Sequence, residues 1–215
     1  MPRAHDSRAL SRRSLWRLCL GAGSTLLAAC AEGEAIEEDD PILEGVCEAP
    51  PTSEGCALTN EDIEGPFYLE DVPERSDLDT AGDAGIALEL SGIVRDEGCA
   101  PLADVIVEIW HADPAGEYDN SSTQHYRGWV RTDSEGAYAF LTLMPGRYLN
   151  GSTYRPSHIH LKAHRDGQEV LTTQIYFAND PYLDEDPWAE ESRTVCLEEA
   201  GEGVAAVFDL VLAQP

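Results

Sequence analysis

One arginine and two histidines fall within YRPSHIH, residues 154–160. Side chains alternate faces along a β-strand with a period of two, so His158 and His160 point the same way and Ile159 points into the opposite layer. Two imidazoles on one face can bind a transition metal. Pro156 disfavours a helical conformation at Arg155 and keeps it extended as the chain enters the strand. Two donors do not complete a site, and a His-x-His pair taken alone is more often ordinary surface or core histidine. The remaining donors must come from elsewhere in the chain. Among the other histidines, His111 reads as a structural or supporting residue at a strand end, and His125 and His164 read as exposed.

The elements that would carry these residues are strands. From residue 80 onward, short β-type runs alternate with turn signals. The runs are IALELSGIVR (86–95), DVIVEIWHA (104–112), RGWVRT (127–132), AYAFLTL (137–143), HIHLKAH (158–164), EVLTTQIYF (169–177) and VAAVFDLVL (204–212). Asp96-Glu97-Gly98, Asp133-Ser134-Glu135-Gly136 and Pro145-Gly146 punctuate them. No long amphipathic helix is evident. Strands at this spacing predict an all-β fold, an antiparallel β-sandwich with long loops around the site. The skeleton resembles the small prealbumin-like modules found on exported proteins, which bind or space things and catalyse nothing.

Charge and the N-terminus narrow the setting. The 215 residues carry 14 Lys and Arg against 41 Asp and Glu, a net charge of −27. Residues 1–29 hold five of the arginines and one aspartate, so the rest of the chain stands at −31. A surface this acidic excludes nucleic acid as a partner, since phosphate neutralisation needs cations. Arg12-Arg13 precedes an apolar run that ends in Leu27-Ala28-Ala29-Cys30. That run is shorter than the roughly 20 apolar residues of a membrane span. It looks like a twin-arginine export signal ending in a lipoprotein cleavage box. The resemblance implies a signal peptide over 1–29, lipid on Cys30 as the only link to a membrane, and a place in the bacterial cell envelope. The acidic stretch that follows, within 30–50, reads as a solvated tether. Residues 51–215 then form the folded domain. Cys47, Cys56, Cys99 and Cys196 remain in the mature chain. An even number in an exported protein predicts two disulfides, with three pairings open.

Beyond the skeleton, EGPFY (64–68), IWHADPAGEY (109–118), RGWVRTDSEGAYAFLTLMPGRY (127–148), RPSHIH (155–160) and TTQIYF (172–177) occur in that order. In this combination the chain resembles the intradiol ring-cleavage dioxygenases, the catechol and protocatechuate dioxygenase family, from roughly Cys56 to the C-terminus. The resemblance implies one Fe(3+) per chain held by two tyrosines and two histidines: Tyr118 in GEY, Tyr148 in PGRY, His158 and His160. It further implies Arg155 facing the substrate ring and Gln174 beside it. Tyr148 would serve as both ligand and base. Phenolate is a hard anionic donor, and a bound cation would deprotonate tyrosines whose ordinary pKa is about 10. The implied reaction consumes O2 and a small catecholic aromatic, breaking the bond between the two hydroxylated carbons to give a cis,cis-muconate-type diacid. Family enzymes for plain catechol usually carry an N-terminal helical domain that builds a dimer, which this chain has no room for between Cys30 and EGPFY. Oligomeric state and the identity of the catechol therefore stay open. So does the alternative of a non-catalytic binding module that kept the fold and the metal.

Overall fold

A computed structural model of the chain describes residues 33–43, 47 and 56–213. The leader read at 1–29 and the lipid attachment site read at Cys30 lie outside these residues. The strands are β1 (Gly33–Glu34), β2 (Ala87–Asp96), β3 (Ile106–Trp110), β4 (Arg127–Arg131), β5 (Ala137–Leu143), β6 (Arg147–Asn150), β7 (Thr153–Arg155), β8 (His158–Arg165), β9 (Gln168–Phe177), β10 (Thr194–Val195), β11 (Glu198–Ala200), β12 (Gly203–Val207) and β13 (Leu210–Leu212). One sheet runs β10-β9-β8-β3-β4. The facing sheet is built on β2, with β5 on one edge and β12 and β13 following one another along the other. The result is the expected β-sandwich. Its β8–β9, β3–β8, β3–β4 and β2–β5 ladders are antiparallel, while β12 and β13 join β2 in parallel.

Alternation explains the layers. Val107, Ile109, Ile159, Leu161, Ala163 and Ile175 point from the first sheet into a core completed by Leu88, Leu90, Val94, Phe140, Ala206 and Leu210 of the second. Each valine, leucine, isoleucine or phenylalanine among them contributes roughly 1.5–3 kcal/mol when fully buried. The opposite face of the first sheet carries Glu108, Arg127, His158, His160, Lys162 and Gln174, and these are buried too. The segment 59–77 covers them. It is fastened by Asp62 N–H to the Thr172 carbonyl (2.9 Å) and by Arg75 N–H to the Trp129 carbonyl (3.1 Å). A polar sheet face roofed by a loop is where a buried site can form.

Three expectations are corrected. The run 204–212 is two strands, because the Asp209 carboxylate accepts the Ile93 N–H (2.8 Å) and interrupts the ladder there. The chain crosses over Gly92 at this break, where a Cβ would sit 2.1 Å from the Phe208 carbonyl oxygen. The stretch read as a free tether is part of the fold over 33–43: β1 pairs with β6, and Ile36 and Ile42 enter the core. His125 and His164 are half-buried and not exposed. His125 bonds Thr80 Oγ1 (2.6 Å), and His164 lies 3.5 Å from Glu108. The disulfide pairing left open by the sequence is Cys47–Cys196 and Cys56–Cys99. No helix among the described residues is long and apolar enough to cross a membrane.

Candidate metal centre

Strand β8 places His158 and His160 on the roofed face with Ile159 in the core, as alternation requires. His158 Nδ1 lies 2.6 Å from the Pro156 carbonyl oxygen. A carbonyl only accepts, so Nδ1 carries the proton and Nε2 is left with its lone pair. His160 stacks on Trp110 of the neighbouring strand, with centroids 4.8 Å apart and planes within 7°. Gly65 of EGPFY packs over its other side, at a φ of 75° that a side chain would strain.

Tyr118 arrives from the loop after β3. Asp113 organises that loop: its carboxylate accepts the Ala115 and Glu117 N–H groups (2.8 and 2.9 Å), and its carbonyl accepts those of Gly116 and Gly146 (3.0 and 2.9 Å). Gly116 has a φ of 84°, and a Cβ there would lie 2.3 Å from the Arg147 carbonyl oxygen. Only glycine permits both the turn and the contact. The GEY loop and the Pro-Gly turn before Tyr148 therefore pack back to back and bring both phenols to one place. Tyr118 Oη lies 3.0 Å from His160 Nε2 and 3.3 Å from His158 Nε2. The Tyr148 ring centroid is 5.6 Å from those of both Tyr118 and His158.

Arg155, opposite Tyr148 on β7, is buried and fixed at several points. Its Nε donates to Asp186 (2.6 Å), and Nη2 donates to Gln174 Oε1 (3.1 Å) and Tyr176 Oη (3.0 Å). Trp188 lies under the guanidinium at 4.7 Å. Gln174 sits opposite His160 on β9, and its Nε2 donates to the Ile63 carbonyl (2.8 Å), so the residue ties Arg155 to the roof.

Burial sets the protonation states. It pushes the Tyr118 phenol well above 10, helped by the nearby Tyr148 and opposed by Arg155 and Arg127. Burial also raises Tyr148, with Arg155 pulling it back down. The His158 pKa falls to about 3, first through burial and then through Arg155. His160 falls well below its ordinary value, through burial and then His158. Without a cation the site thus holds two neutral imidazoles and two neutral phenols at pH 7. One phenol proton on Tyr118 faces two Nε2 atoms, and the buried His160 Nδ1 has no partner among the described residues. Converging lone pairs with too few protons are a poor hydrogen-bond network and a sound donor set for a cation. The cluster fits a hard transition-metal ion, which would displace the phenol protons. Among the described residues no three His, Cys, Asp or Glu side chains group as a metal site, so the phenols are essential to any such reading.

The structure adds residues that the sequence did not single out. Phe67 stacks on Tyr118 at 4.2 Å and meets Tyr148 edge-on at 6.0 Å. Phe67, Tyr118, Tyr148, Leu149, Glu117 and Gly33 border a cavity of about 340 Å3. Arg127 donates to the carbonyls of Phe67 (2.7 Å) and Asp119 (3.0 Å), joining the roof to the Tyr118 loop. Asp186, Tyr176 and Trp110 complete the support. Their residue types are ordinary, and only position reveals them.

The β-sandwich has relatives of known structure and of known sequence. The dioxygenase domain of a dioxygenase–carbohydrate-binding protein fusion from Streptomyces sp. SirexAA-E superposes with a TM-score of 0.68 at 34% identity, covering 74% of this chain and all of that one. A chlorocatechol 1,2-dioxygenase from Pseudomonas sp. strain P51 is 33% identical over 168 residues, 69% of this chain and 67% of that protein. The beta chain of a protocatechuate 3,4-dioxygenase from Burkholderia cepacia is 39% identical over 117 residues, about half of each chain. Residues 63–213 match the profile of the family described as "Dioxygenase". The chain belongs to the intradiol ring-cleavage dioxygenase family.

Proposed function

We propose that this protein is a ferric-ion-dependent dioxygenase that cleaves catecholic aromatics with O2 to cis,cis-muconate-type diacids. The observation that carries the proposal is the convergence of Tyr118 Oη on both histidine Nε2 atoms, with the Tyr148 ring alongside. Tyr118, Tyr148, His158 and His160 would hold the ion. Bound there, the ion would supply Lewis acidity. The remaining work falls to the chain. As a phenolate beside Arg155, Tyr148 would accept a catechol hydroxyl proton at Oη. Arg155 is held rigid by Asp186, Gln174 and Tyr176, so its fixed charge can stabilise negative charge developing on the ring without reorganisation. Phe67 and Leu149 give the cavity apolar walls against which a planar ring would lie.

The charges around the site favour an uncharged ring. Arg147 is paired with Asp40 and Asp180, Arg155 with Asp186, and Lys162 with Glu64 and Glu169. Glu117 borders the cavity. A ring carboxylate would meet the exposed Glu117 at the cavity's edge, a solvent-screened repulsion of about 1 kcal/mol, while the buried Arg127 beside Tyr118 is turned to the Phe67 and Asp119 carbonyls. The expected result is a kcat/KM for catechol up to about tenfold above that for 3,4-dihydroxybenzoate. Oxygen uptake on each substrate, with product mass by spectrometry, checks this. Equal or faster turnover of the carboxylated ring would refute the selectivity. No uptake on any catechol by iron-loaded protein would favour a binding module.

A further inference from the structure

We infer that the acidic segment Gly33–Leu43 is a working wall of this active site, which positions Tyr148 and limits the size of ring the cavity accepts. The inference rests on the proposed function. Gly33 and Glu34 pair in register with Tyr148 and Arg147, so the strand that presents the second tyrosine has β1 on one edge and β7 on the other. Gly33 itself borders the cavity beside Phe67, Tyr118, Tyr148 and Leu149. The fit there is close: a Cβ at Gly33 would stand 1.7 Å from the Ala115 carbonyl oxygen and 3.0 Å from Gly116 Cα. The segment is therefore inserted against the Tyr118 loop as well as the Tyr148 strand, touching the mounts of both phenols.

It is anchored, not laid down loosely. Asp40 accepts two hydrogen bonds from the buried Arg147 (2.7 and 2.8 Å), whose Nε donates to Asp180 (2.8 Å). Asp180 in turn accepts the Ser157 N–H (3.0 Å), one residue before His158. Glu34 accepts from Tyr182 Oη (2.8 Å), and Ile36 and Ile42 are in the core. A continuous chain of charge-assisted bonds thus runs from Asp40 through the residue preceding Tyr148 to the residue preceding His158. Asp40 and Gly33 are positioning residues, acting through Arg147 and through the backbone of β6.

Two substitutions in the full chain test this. Asp40→Asn keeps the shape and removes one charge. Gly33→Ala forces the segment away from the Ala115 carbonyl. Both proteins are expected to retain iron and to shift the phenolate-to-iron absorption band, which reports the Tyr148 geometry and not mere stability. Gly33→Ala should also move the ratio of KM values for a 4-alkylcatechol and for catechol about tenfold in favour of the larger ring, the scale of a methylene or two in an apolar pocket. If Gly33→Ala does not fold, Asp40→Asn carries the test through its band alone. Variants with the wild-type band and KM ratio, changed only in melting temperature, would reduce the segment to a strap and overturn the inference alone. A wild-type protein with neither band nor turnover would overturn the metal-centre reading and this inference with it.

Discussion

His158→Ala and His160→Ala are each expected to lose the metal and, with it, more than about a hundredfold in kcat/KM. Loss of a residue that merely supports a ligand already costs some 10–100-fold in affinity or activity. Removing a donor atom that lies 3.0 or 3.3 Å from Tyr118 Oη takes away part of the set itself. Stability is expected to fall as well, by the cost of the cavity each buried ring leaves and, for His158, of a Pro156 carbonyl without its partner. His160 Nδ1 has no partner among the described residues, so its deletion removes an unsatisfied group along with the Trp110 stack. Iron per chain measured after desalting, beside a thermal melt, separates ligand loss from unfolding. Full iron occupancy in either variant would contradict the ligand set.

Arg155→Leu has the second-largest expected effect, and it acts on two observables. The guanidinium and Asp186 are both buried and 2.6 Å apart. Deleting one partner of a buried pair leaves a charge uncompensated, at a cost of about 3–5 kcal/mol. The Trp188 and Ala189 N–H groups also donate to Asp186 (2.9 and 3.0 Å), which places the expected loss at the lower end of that range. Turnover should fall about a hundredfold, the scale of removing one preorganised charge stabiliser. The double change Arg155→Leu with Asp186→Leu separates these effects. Replacing a buried ion pair by apolar groups is often neutral, but Asp186→Leu also strands the Trp188 and Ala189 N–H groups, so stability should return in part while turnover stays low. If the double variant recovers turnover along with stability, Arg155 supports the fold and does not act on the ring. Arg155→Lys should recover only part of the rate, since a point charge cannot make the fork to Asp186, Gln174 and Tyr176 at once.

What the sequence makes legible follows from range. The alternation of HIHLKAH is local, and it correctly sends His158 and His160 to one face and Ile159 to the other. Turn residues are local as well, so most strand limits agree to within two residues. The segment 33–43 misled because its anchors are remote. Asp40 finds Arg147 107 positions away, and Ile36 and Ile42 are two apolar residues among acids, too few to set a helical or alternating run. The single strand over 204–212 failed for a similar reason, since Asp209 intercepts an amide 116 residues distant. Tyr118 and Tyr148 became candidates only through resemblance, because a tyrosine carries no local signal of a metal. Phe67 and Arg127 stand inside EGPFY and RGWVRT but had no individual role until the fold set Phe67 on Tyr118 and tied Arg127 to the roof, and Asp186 had no signal at all until it met Arg155.

The most direct test of the central claim is the visible absorption spectrum of the purified protein, with iron quantified, before and after addition of catechol. Two phenolates on a ferric ion give a strong red-brown charge-transfer band. A coloured protein with about one iron per chain, whose band shifts when catechol is added, is the result expected from Tyr118 and Tyr148 as ligands. A protein that stays colourless after iron loading would contradict it, leaving the His158–His160 pair as an ordinary feature of the sheet.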